Sequence, residues 1–209
     1  GITLKVQEFT DYVVPNEAVE SGQIDANYFQ HLPYMESFNK ERGFHLVSVA
    51  GIHIEPLALY SHKIKSADDL QNGAVIAIPN DPTNGGRALI LLDKAGIIKL
   101  KDNKKLDSTT KDIASNPKKI KIVTLSNEQI APRLVEVAGA IINSNFAINA
   151  GVTKNEIILQ EDKNSPYANV VTVLKGNEND PRIQKLMKAL QSEKVKKYIE
   201  EKYEGRIIP

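Results

Sequence analysis

Short apolar runs and helix-type segments alternate along most of this chain. Residues 74–78 are continuously apolar, which predicts a buried strand. The segment 88–95 is rich in leucine and alanine and is followed by Gly96, which predicts a helix that ends there. By the same patterns, further strands are predicted at 2–9, 24–29, 44–50, 56–61, 121–125, 139–142 and 170–174. Further helices are predicted at 15–21, 33–41, 66–73, 126–137, 145–151, 181–191 and 193–202, with a loop-rich stretch at 99–119.

This alternation predicts the α/β class, with parallel sheets that carry helices on both faces. A chain of 209 residues can bury a sizeable core. It is long enough for one large domain or for two small lobes, and the pattern by itself leaves one sheet or two open.

The charge balance argues against a nucleic-acid partner. Lys and Arg number 27 against 26 Asp and Glu, whereas a nucleic-acid binder needs a basic face that displaces counterions. The lysine-rich stretch within 99–121 is interrupted by aspartates and has no aromatic residue to stack on a base, so we interpret it as a solvated loop. The absence of cysteine excludes disulfides, thiolate metal sites and cysteine nucleophiles.

The segment that joins the strand at 74–78 to the helix at 88–95 ends in Asn-Gly-Gly-Arg, at Arg87. Glycines let a ligand approach the backbone, and a helix N-terminus favours an anion beside it. An arginine in the first helical turn opposes the helix dipole, and a bound carboxylate, which matches the guanidinium bidentately, would explain it. A surface arginine on an ordinary turn explains the same residues, and this segment alone leaves both interpretations open.

Three further motifs accompany the Arg87 segment. Residues 25–35 read Asp-Ala-Asn-Tyr-Phe-Gln-His-Leu-Pro-Tyr-Met, residues 139–147 read Gly-Ala-Ile-Ile-Asn-Ser-Asn-Phe-Ala, and residues 165–169 read Ser-Pro-Tyr-Ala-Asn. With these motifs in this order, the chain resembles the NlpA-type methionine-binding lipoproteins, the substrate-binding components of methionine ABC importers. The resemblance runs from Gly1 to Pro209.

The resemblance implies a two-lobed, periplasmic-binding-protein-like fold of type II, with two hinge crossings and the ligand in the interlobe cleft. On that template, lobe 1 is formed by 1–50 plus 171–209, and lobe 2 by 57–165. The hinges are expected near 51–56 and 166–170. Each hinge segment contains a proline, and hinges of this kind bend at a few residues.

The resemblance also implies which residues meet the ligand. Arg87 would take the carboxylate of an amino acid. Asn145 and Asn169 align with ligand-contacting asparagines, and an asparagine can serve either end of a zwitterion. Position alone would favour helix-cap or turn roles for both. We interpret Asn143 as a support residue and Asn84 as a helix cap.

The side-chain pocket would come from residues that align with the aromatic lining of the family, namely Tyr12, Phe29, His31 and Tyr34. A thioether is apolar and polarisable and packs well against aromatic edges. Such rings also form a dry slot with few polar demands. Without the resemblance, Phe29 and Tyr34 would be interpreted as core residues and His31 as a structural histidine.

Metal binding and catalysis find less support. His53 and Glu55 lie two apart on an expected strand and would share a face, which His31 or His62 could join as metal ligands. The chain has no clustered third ligand in sequence, no G-x-S-x-G elbow, no phosphate loop and no H-E-x-x-H. The acid pairs, Asp68 with Asp69 and Glu161 with Asp162, are interpreted as helix caps or solvated charge.

The sequence therefore predicts a binding protein, not an enzyme, without a cofactor. The resemblance implies that it captures methionine outside the cytoplasm and delivers it to the permease of an ABC importer, as a lipoprotein anchored to the cell membrane. A methionine-containing dipeptide is an alternative ligand. A metal-binding protein or an enzyme on a similar two-lobed fold is the alternative from another class.

Members of that family carry a signal peptide, a lipobox cysteine, a first strand and a first helix before the point where this chain begins. The strand predicted at 2–9 would then lack its neighbour, leaving backbone groups and an apolar face exposed. This 209-residue form is therefore expected to be less stable than one extended at its N-terminus, or to pair with a second copy.

Overall fold

The computed structural model describes residues 1–162 and 165–209. The chain divides into two compact units, unit 1 (Gly1–Glu55 with Lys163–Pro209) and unit 2 (Pro56–Asp162). The predicted lobe 2 includes residues 163 and 164, which lie outside the described residues, and the lobe and hinge boundaries stay predictions. Among the described residues, no helix has both the length and the apolar character needed to cross a membrane.

Strands and helices follow one another along the chain. The strands are β1 (Asn27–His31), β2 (Leu46–Ile54), β3 (Ala58–Tyr60), β4 (Val75–Pro79), β5 (Lys99–Leu100), β6 (Ile113–Ser115), β7 (Lys121–Leu125), β8 (Gly139–Ile142), β9 (Ile157–Gln160) and β10 (Ala168–Leu174). The α-helices are α1 (Val14–Glu20), α2 (Leu32–Arg42), α3 (Pro82–Lys94), α4 (Asn127–Ile130), α5 (Ser144–Asn149), α6 (Pro181–Leu190) and α7 (Glu193–Tyr203). Short 3₁₀ turns lie at Ala67–Asp69, Thr110–Asp112, Ala131–Arg133 and Lys154–Glu156.

Unit 1 is built on a three-stranded sheet in the order β1–β10–β2, with both pairings antiparallel. Val171 and Val173 alternate along β10 and so share a face, which packs with Ile183 and Met187 of α6. A second buried cluster joins α1, α2 and β2 through Val19, Met35 and Leu46.

Unit 2 is built on a five-stranded sheet in the order β7–β4–β8–β3–β9. Strand β4 runs parallel to β7 and β8, whereas β3 runs antiparallel to β8 and β9. The two isoleucines of β4, Ile76 and Ile78, pack in one cluster with Leu89 and Leu92 of α3. Ala77, between them, belongs to a different cluster, as expected from the alternation of side chains along a strand.

The α/β class is confirmed, but the prediction of parallel sheets holds only for β7–β4–β8. In unit 1 the chain leaves the unit after β2 and returns to it in β10, so these neighbouring strands run in opposite directions. An alternating sequence pattern does not report strand direction.

The strand predicted at 2–9 is not formed. Ile2, Leu4 and Val6 are 42%, 60% and 77% exposed, and no described strand pairs with this segment. Alternation identified residues that could form a strand, but a strand is stable only when its backbone groups have partners.

Two predicted helices are also shorter than expected. The helix predicted at 126–137 ends after Ile130 and continues only as a 3₁₀ turn, because Pro132 lacks a backbone N–H and its ring conflicts with the preceding turn. The helix predicted after Ser66 is a single 3₁₀ turn, although Ser66 and Asp69 form the expected capping box.

Candidate functional site

The four aromatic residues predicted to line a pocket lie together in unit 1. The ring centroids of Tyr12 and Phe29 are 5.5 Å apart, and those of Tyr12 and Tyr34 are 5.7 Å apart. Phe29 lies 6.3 Å from Tyr34, and His31 lies 6.2 Å from it. The contacts are tilted or edge-on, as aromatic pairs prefer. We call Tyr12, Phe29, His31 and Tyr34 the aromatic group.

The junction of β1 and α2 explains how these rings converge. His31 ends β1 and is the N-cap of α2, where its Nδ1 accepts a hydrogen bond from the backbone N–H of Tyr34 at 3.2 Å. In the neutral ring the proton is therefore on Nε2. The hydroxyl of Tyr34 donates to the backbone oxygen of Tyr12 at 3.1 Å, which ties the segment before α1 to α2. His31 thus has a structural role as a cap, and its role toward a ligand stays a prediction.

Tyr167 is a neighbour of the aromatic group that the sequence reasoning missed as a site residue. It is 4% exposed, and its ring centroid lies 5.0 Å from that of His31. The signal was available, because Tyr167 is the central residue of the Ser-Pro-Tyr-Ala-Asn motif.

Asn169 lies beside the aromatic group. On β10 it is the register partner of His31 in β1 and of His53 in β2. Asn169 is 5% exposed, and its buried Oδ1 has no hydrogen-bond partner among the described residues. A buried acceptor without a donor costs about 1–3 kcal/mol, so this oxygen is suited to receive a donor from a bound molecule.

In unit 2, Arg87 pairs with a carboxylate of the chain itself. Its Nε donates to Glu161 Oε1 at 2.8 Å and its Nη2 to Glu161 Oε2 at 2.6 Å. The Arg87 side chain is 2% exposed and that of Glu161 12%. The interpretation of Glu161 as a helix cap or solvated charge is therefore wrong. A carboxylate does bind Arg87 bidentately, as expected, but it is the side chain of Glu161 and not a ligand.

The helix around Arg87 also differs from the expectation. Asp81 is the N-cap of α3, so Arg87 lies in the second turn rather than the first. The two glycines before it serve packing. A Cβ on Gly86 would lie 2.0 Å from the backbone oxygen of Leu106, and one on Gly85 would lie 2.9 Å from that of Pro79. These close backbone approaches explain the glycines without a ligand.

A buried polar network joins α3 to the start of α5. Asp81 accepts from the backbone N–H of Asn84 at 2.9 Å and from the Asn127 amide at 2.8 Å. The Asn84 Oδ1 accepts from the Asn143 amide at 3.0 Å. The helix cap is therefore Asp81 and not Asn84, whereas Asn143 supports the structure as predicted and is also the N-cap position of α5. Asn145 lies inside α5, half-buried.

The histidine considered as a metal ligand lies in a hydrogen-bonded chain. His53 Nε2 is 2.8 Å from Glu55 Oε1, and His53 Nδ1 contacts the Tyr28 hydroxyl. Partial burial raises the pKa of the Tyr28 hydroxyl, and the negative charges of Glu55 and of ionised Tyr203 raise it further. Across residues 1–162 and 165–209, no three His, Cys, Asp or Glu side chains are grouped so that they could hold a metal ion.

The chain was also compared with known proteins. A family model described as NlpA lipoprotein matches residues 1–209. The D-methionine-binding lipoprotein MetQ of Escherichia coli O157:H7 is 46% identical over 199 residues, which are 93% of this chain and 73% of that protein. The membrane lipoprotein TpN32 of Treponema pallidum is 42% identical over 205 residues, 98% of this chain and 76% of that protein.

The chain is also similar to solved structures of binding proteins. A nutrient binding protein from Burkholderia cenocepacia bound to methionine superposes with a TM-score of 0.96 at 44% identity, covering 99% of this chain and 88% of that one. A periplasmic substrate-binding protein of an ABC transporter from Coxiella burnetii superposes with a TM-score of 0.95 at 44% identity, covering 100% of this chain and 88% of that one.

Proposed function

Because this chain belongs to the NlpA lipoprotein family, we propose that it is an extracytoplasmic binding protein that captures methionine and delivers it to an ABC importer. The observation that carries the proposal is the similarity to the methionine-bound Burkholderia protein, at 44% identity over 99% of this chain. The named relatives are a D-methionine-binding lipoprotein and a membrane lipoprotein. A lipid anchor and a permease partner belong to the same proposal.

The aromatic group is proposed to receive the side chain of methionine. Tyr12 and Phe29 are half-buried, whereas His31 and Tyr34 are buried, so the group has both a fixed base and accessible ring surface. Sulfur contacts with aromatic rings contribute about 0.3–1.5 kcal/mol each. Asn169, beside the group, offers a buried carbonyl oxygen to the ammonium of the ligand.

Arg87 and Asn145 of unit 2 are proposed to bind the polar end of the amino acid. The guanidinium of Arg87 is buried, fixed by its pair with Glu161, and carried on a helix capped by Asp81. A fixed guanidinium binds a carboxylate with little loss of side-chain entropy. The amide of Asn145 can donate to the carboxylate or accept from the ammonium.

Two measurements test the proposal. Denaturation of the purified protein is expected to release methionine, which mass spectrometry would detect. After refolding, isothermal titration calorimetry is expected to show that the protein binds methionine. Release of a methionine-containing dipeptide would assign that ligand instead. Bound metal by elemental analysis, without an amino acid, would overturn the proposal.

A matched pair of variants links the binding to the aromatic group. Phe29→Ala is expected to weaken methionine binding at least about tenfold, because it removes one ring of the group. Phe44→Ala is the control, because Phe44 is also half-buried but packs on Phe38, with ring centroids 5.4 Å apart. Equal losses in the two variants would argue against a specific role for the group.

A further inference from the structure

The carboxylate of Glu161 lies beside the guanidinium of Arg87. A binding site for amino acids would be expected to keep this guanidinium without a neutralising partner, so that it can bind the ligand carboxylate. Both oxygens of Glu161 accept from Arg87, at 2.8 Å and 2.6 Å. The pair is largely removed from water, with 2% and 12% of the two side chains exposed. At such burial the opposite charges compensate each other far more strongly than on a surface, so Arg87 and Glu161 act as a unit of zero net charge.

The position of Glu161 is fixed independently of Arg87. Its Oε2 also accepts from the backbone N–H of Leu57 at 3.0 Å, and its own backbone N–H donates to the Leu57 oxygen at 2.9 Å. The carboxylate is therefore tied by backbone and side chain to the segment before β3. A carboxylate held in this way stays beside the guanidinium and does not move aside as a free surface side chain would.

We propose that Glu161 is a specificity residue, which makes the Arg87 site select the net-neutral zwitterion of an amino acid over a carboxylate anion without an ammonium group. This inference rests on the proposed function. An anion brings an uncompensated negative charge to a pair that is already neutral, and burying such a charge is costly. A zwitterion brings no net charge, and its ammonium offsets the repulsion between its carboxylate and that of Glu161.

The same reasoning predicts opposite effects for ligands of opposite charge. Without the charge of Glu161, the positive charge of Arg87 is no longer offset by this carboxylate. An anion is then favoured and a cation disfavoured, each relative to the zwitterion. A variant that merely loosens the site would weaken all three ligands in the same direction.

Three ligands with the same thioether side chain provide the test. They are methionine, methylthiobutanoate, which lacks the ammonium, and methioninamide, which lacks the carboxylate. Wild type is expected to bind methionine at least about tenfold tighter than methylthiobutanoate. In Glu161→Gln, which keeps a carbonyl acceptor for Leu57, the methylthiobutanoate affinity relative to methionine is expected to rise about tenfold. The relative affinity of methioninamide is expected to fall.

Two further variants separate charge from structure. Glu161→Asp keeps the charge but is one methylene shorter, so its ligand ratios are expected to stay near those of wild type while all affinities fall. Glu156→Gln is the matched control. Glu156 also lies in unit 2 and accepts a backbone hydrogen bond, from Thr153, but pairs with His62 rather than with Arg87. Its ligand ratios are expected to be unchanged.

Each outcome decides between the two proposals. If wild type binds none of the three ligands, the proposed function is overturned and this inference with it. If wild type binds methionine and Glu161→Gln leaves both ratios unchanged, only the role of Glu161 is overturned. If Glu161→Gln does not fold, the test rests on the wild-type protein. Equal wild-type affinities for methionine and methylthiobutanoate would also overturn the proposed role of Glu161.

Discussion

Asn143 donates its side-chain amide to the side-chain oxygen of Asn84 at 3.0 Å, and both residues are buried. Asn84 lies three positions before Arg87 on α3, and Asn143 lies two positions before Asn145 at the start of α5. This hydrogen bond therefore joins the two elements of unit 2 that carry the proposed ligand residues. The side-chain oxygen of Asn143 has no hydrogen-bond partner among the described residues, so within this network Asn143 is held through its amide nitrogen.

Asn84→Ala is expected to lower the free energy of unfolding by about 1–3 kcal/mol, because it leaves the buried Asn143 amide without its acceptor. Methionine affinity is expected to fall as well, since α3 and α5 lose a fixed connection. Urea denaturation and titration calorimetry measure the two effects. Asn149→Ala, at an exposed position of α5, is the control and is expected to change neither. An Asn84→Ala protein as stable as wild type would mean that the network is dispensable.

Arg87→Ala is expected to weaken methionine binding by about 2–5 kcal/mol, roughly thirtyfold or more in affinity, through loss of a buried charge-assisted pair. It is also expected to lower stability, because Glu161 would keep a carboxylate that is 12% exposed without its partner. The double variant Arg87→Ala with Glu161→Gln is expected to recover part of the stability and none of the affinity. Unchanged methionine affinity in Arg87→Ala would contradict the assignment of Arg87 to the binding site.

Local patterns in the sequence were sufficient for much of the fold. The apolar run of β4 and Gly96 after α3 are each visible within a few residues, whereas the grouping of Tyr12 with Phe29, His31 and Tyr34 was implied by the family resemblance. The partner of Arg87 is not visible in the sequence, because Glu161 lies 74 positions away and follows a short, ordinary strand. The glycines before Arg87 were interpreted as space for a ligand, whereas Gly86 makes room for the backbone at Leu106. Such contacts are set by tertiary packing and leave no periodic signal.

The aromatic group is expected to favour methionine over leucine by only about 1–3 kcal/mol, because an apolar slot discriminates weakly between side chains of similar size. Glutamate and lysine are expected to be rejected more strongly, since their charged side chains would be buried without a partner. Competition titrations against methionine measure both differences. Tight binding of glutamate or lysine would contradict the assignment of the pocket to these rings.

Asp93 is expected to make the stability of the protein fall at acidic pH. Burial by itself would raise the pKa of this carboxyl, but the Leu100 N–H, the Asn103 amide and the Lys99 ammonium together hold the pKa below its ordinary 3.8. The folded state therefore binds the proton less readily than the unfolded state. The resulting stabilisation is complete above the ordinary pKa and is lost as pH falls through the lowered one.

Asp93→Asn removes this ionisable group, so part of the loss of stability between neutral pH and about pH 3 is expected to disappear in the variant. Urea denaturation at several pH values measures the effect. Asp107→Asn, at an exposed position in the same region, is the control and is expected to keep the pH dependence of wild type. Identical pH profiles for wild type and Asp93→Asn would contradict the contribution of Asp93.

Gly86→Ala is expected to destabilise unit 2, because the added Cβ would lie 2.0 Å from the backbone oxygen of Leu106 and 2.9 Å from the backbone nitrogen of Ser108. Backbone cannot rotate away as a flexible side chain can, so α3 or the 106–108 segment must shift. Overpacking of this kind typically costs about 1–3 kcal/mol or more. That exceeds the gain of up to about 1 kcal/mol from alanine in a helix.

Gly51, Gly85 and Gly86, three of the glycines at which an added Cβ would contact neighbouring atoms, give this prediction an internal scale. Gly85→Ala, with 2.9 Å to the Pro79 oxygen, is expected to cost less than Gly86→Ala, and Gly51→Ala, with an ordinary 3.6 Å contact to Ala168, least of all. Thermal denaturation ranks the variants. Because a shift of α3 also moves Arg87, Gly86→Ala is expected to weaken methionine binding under conditions where the protein is still folded. A Gly86→Ala protein with wild-type stability and affinity would show that this close backbone approach does not hold α3 in place.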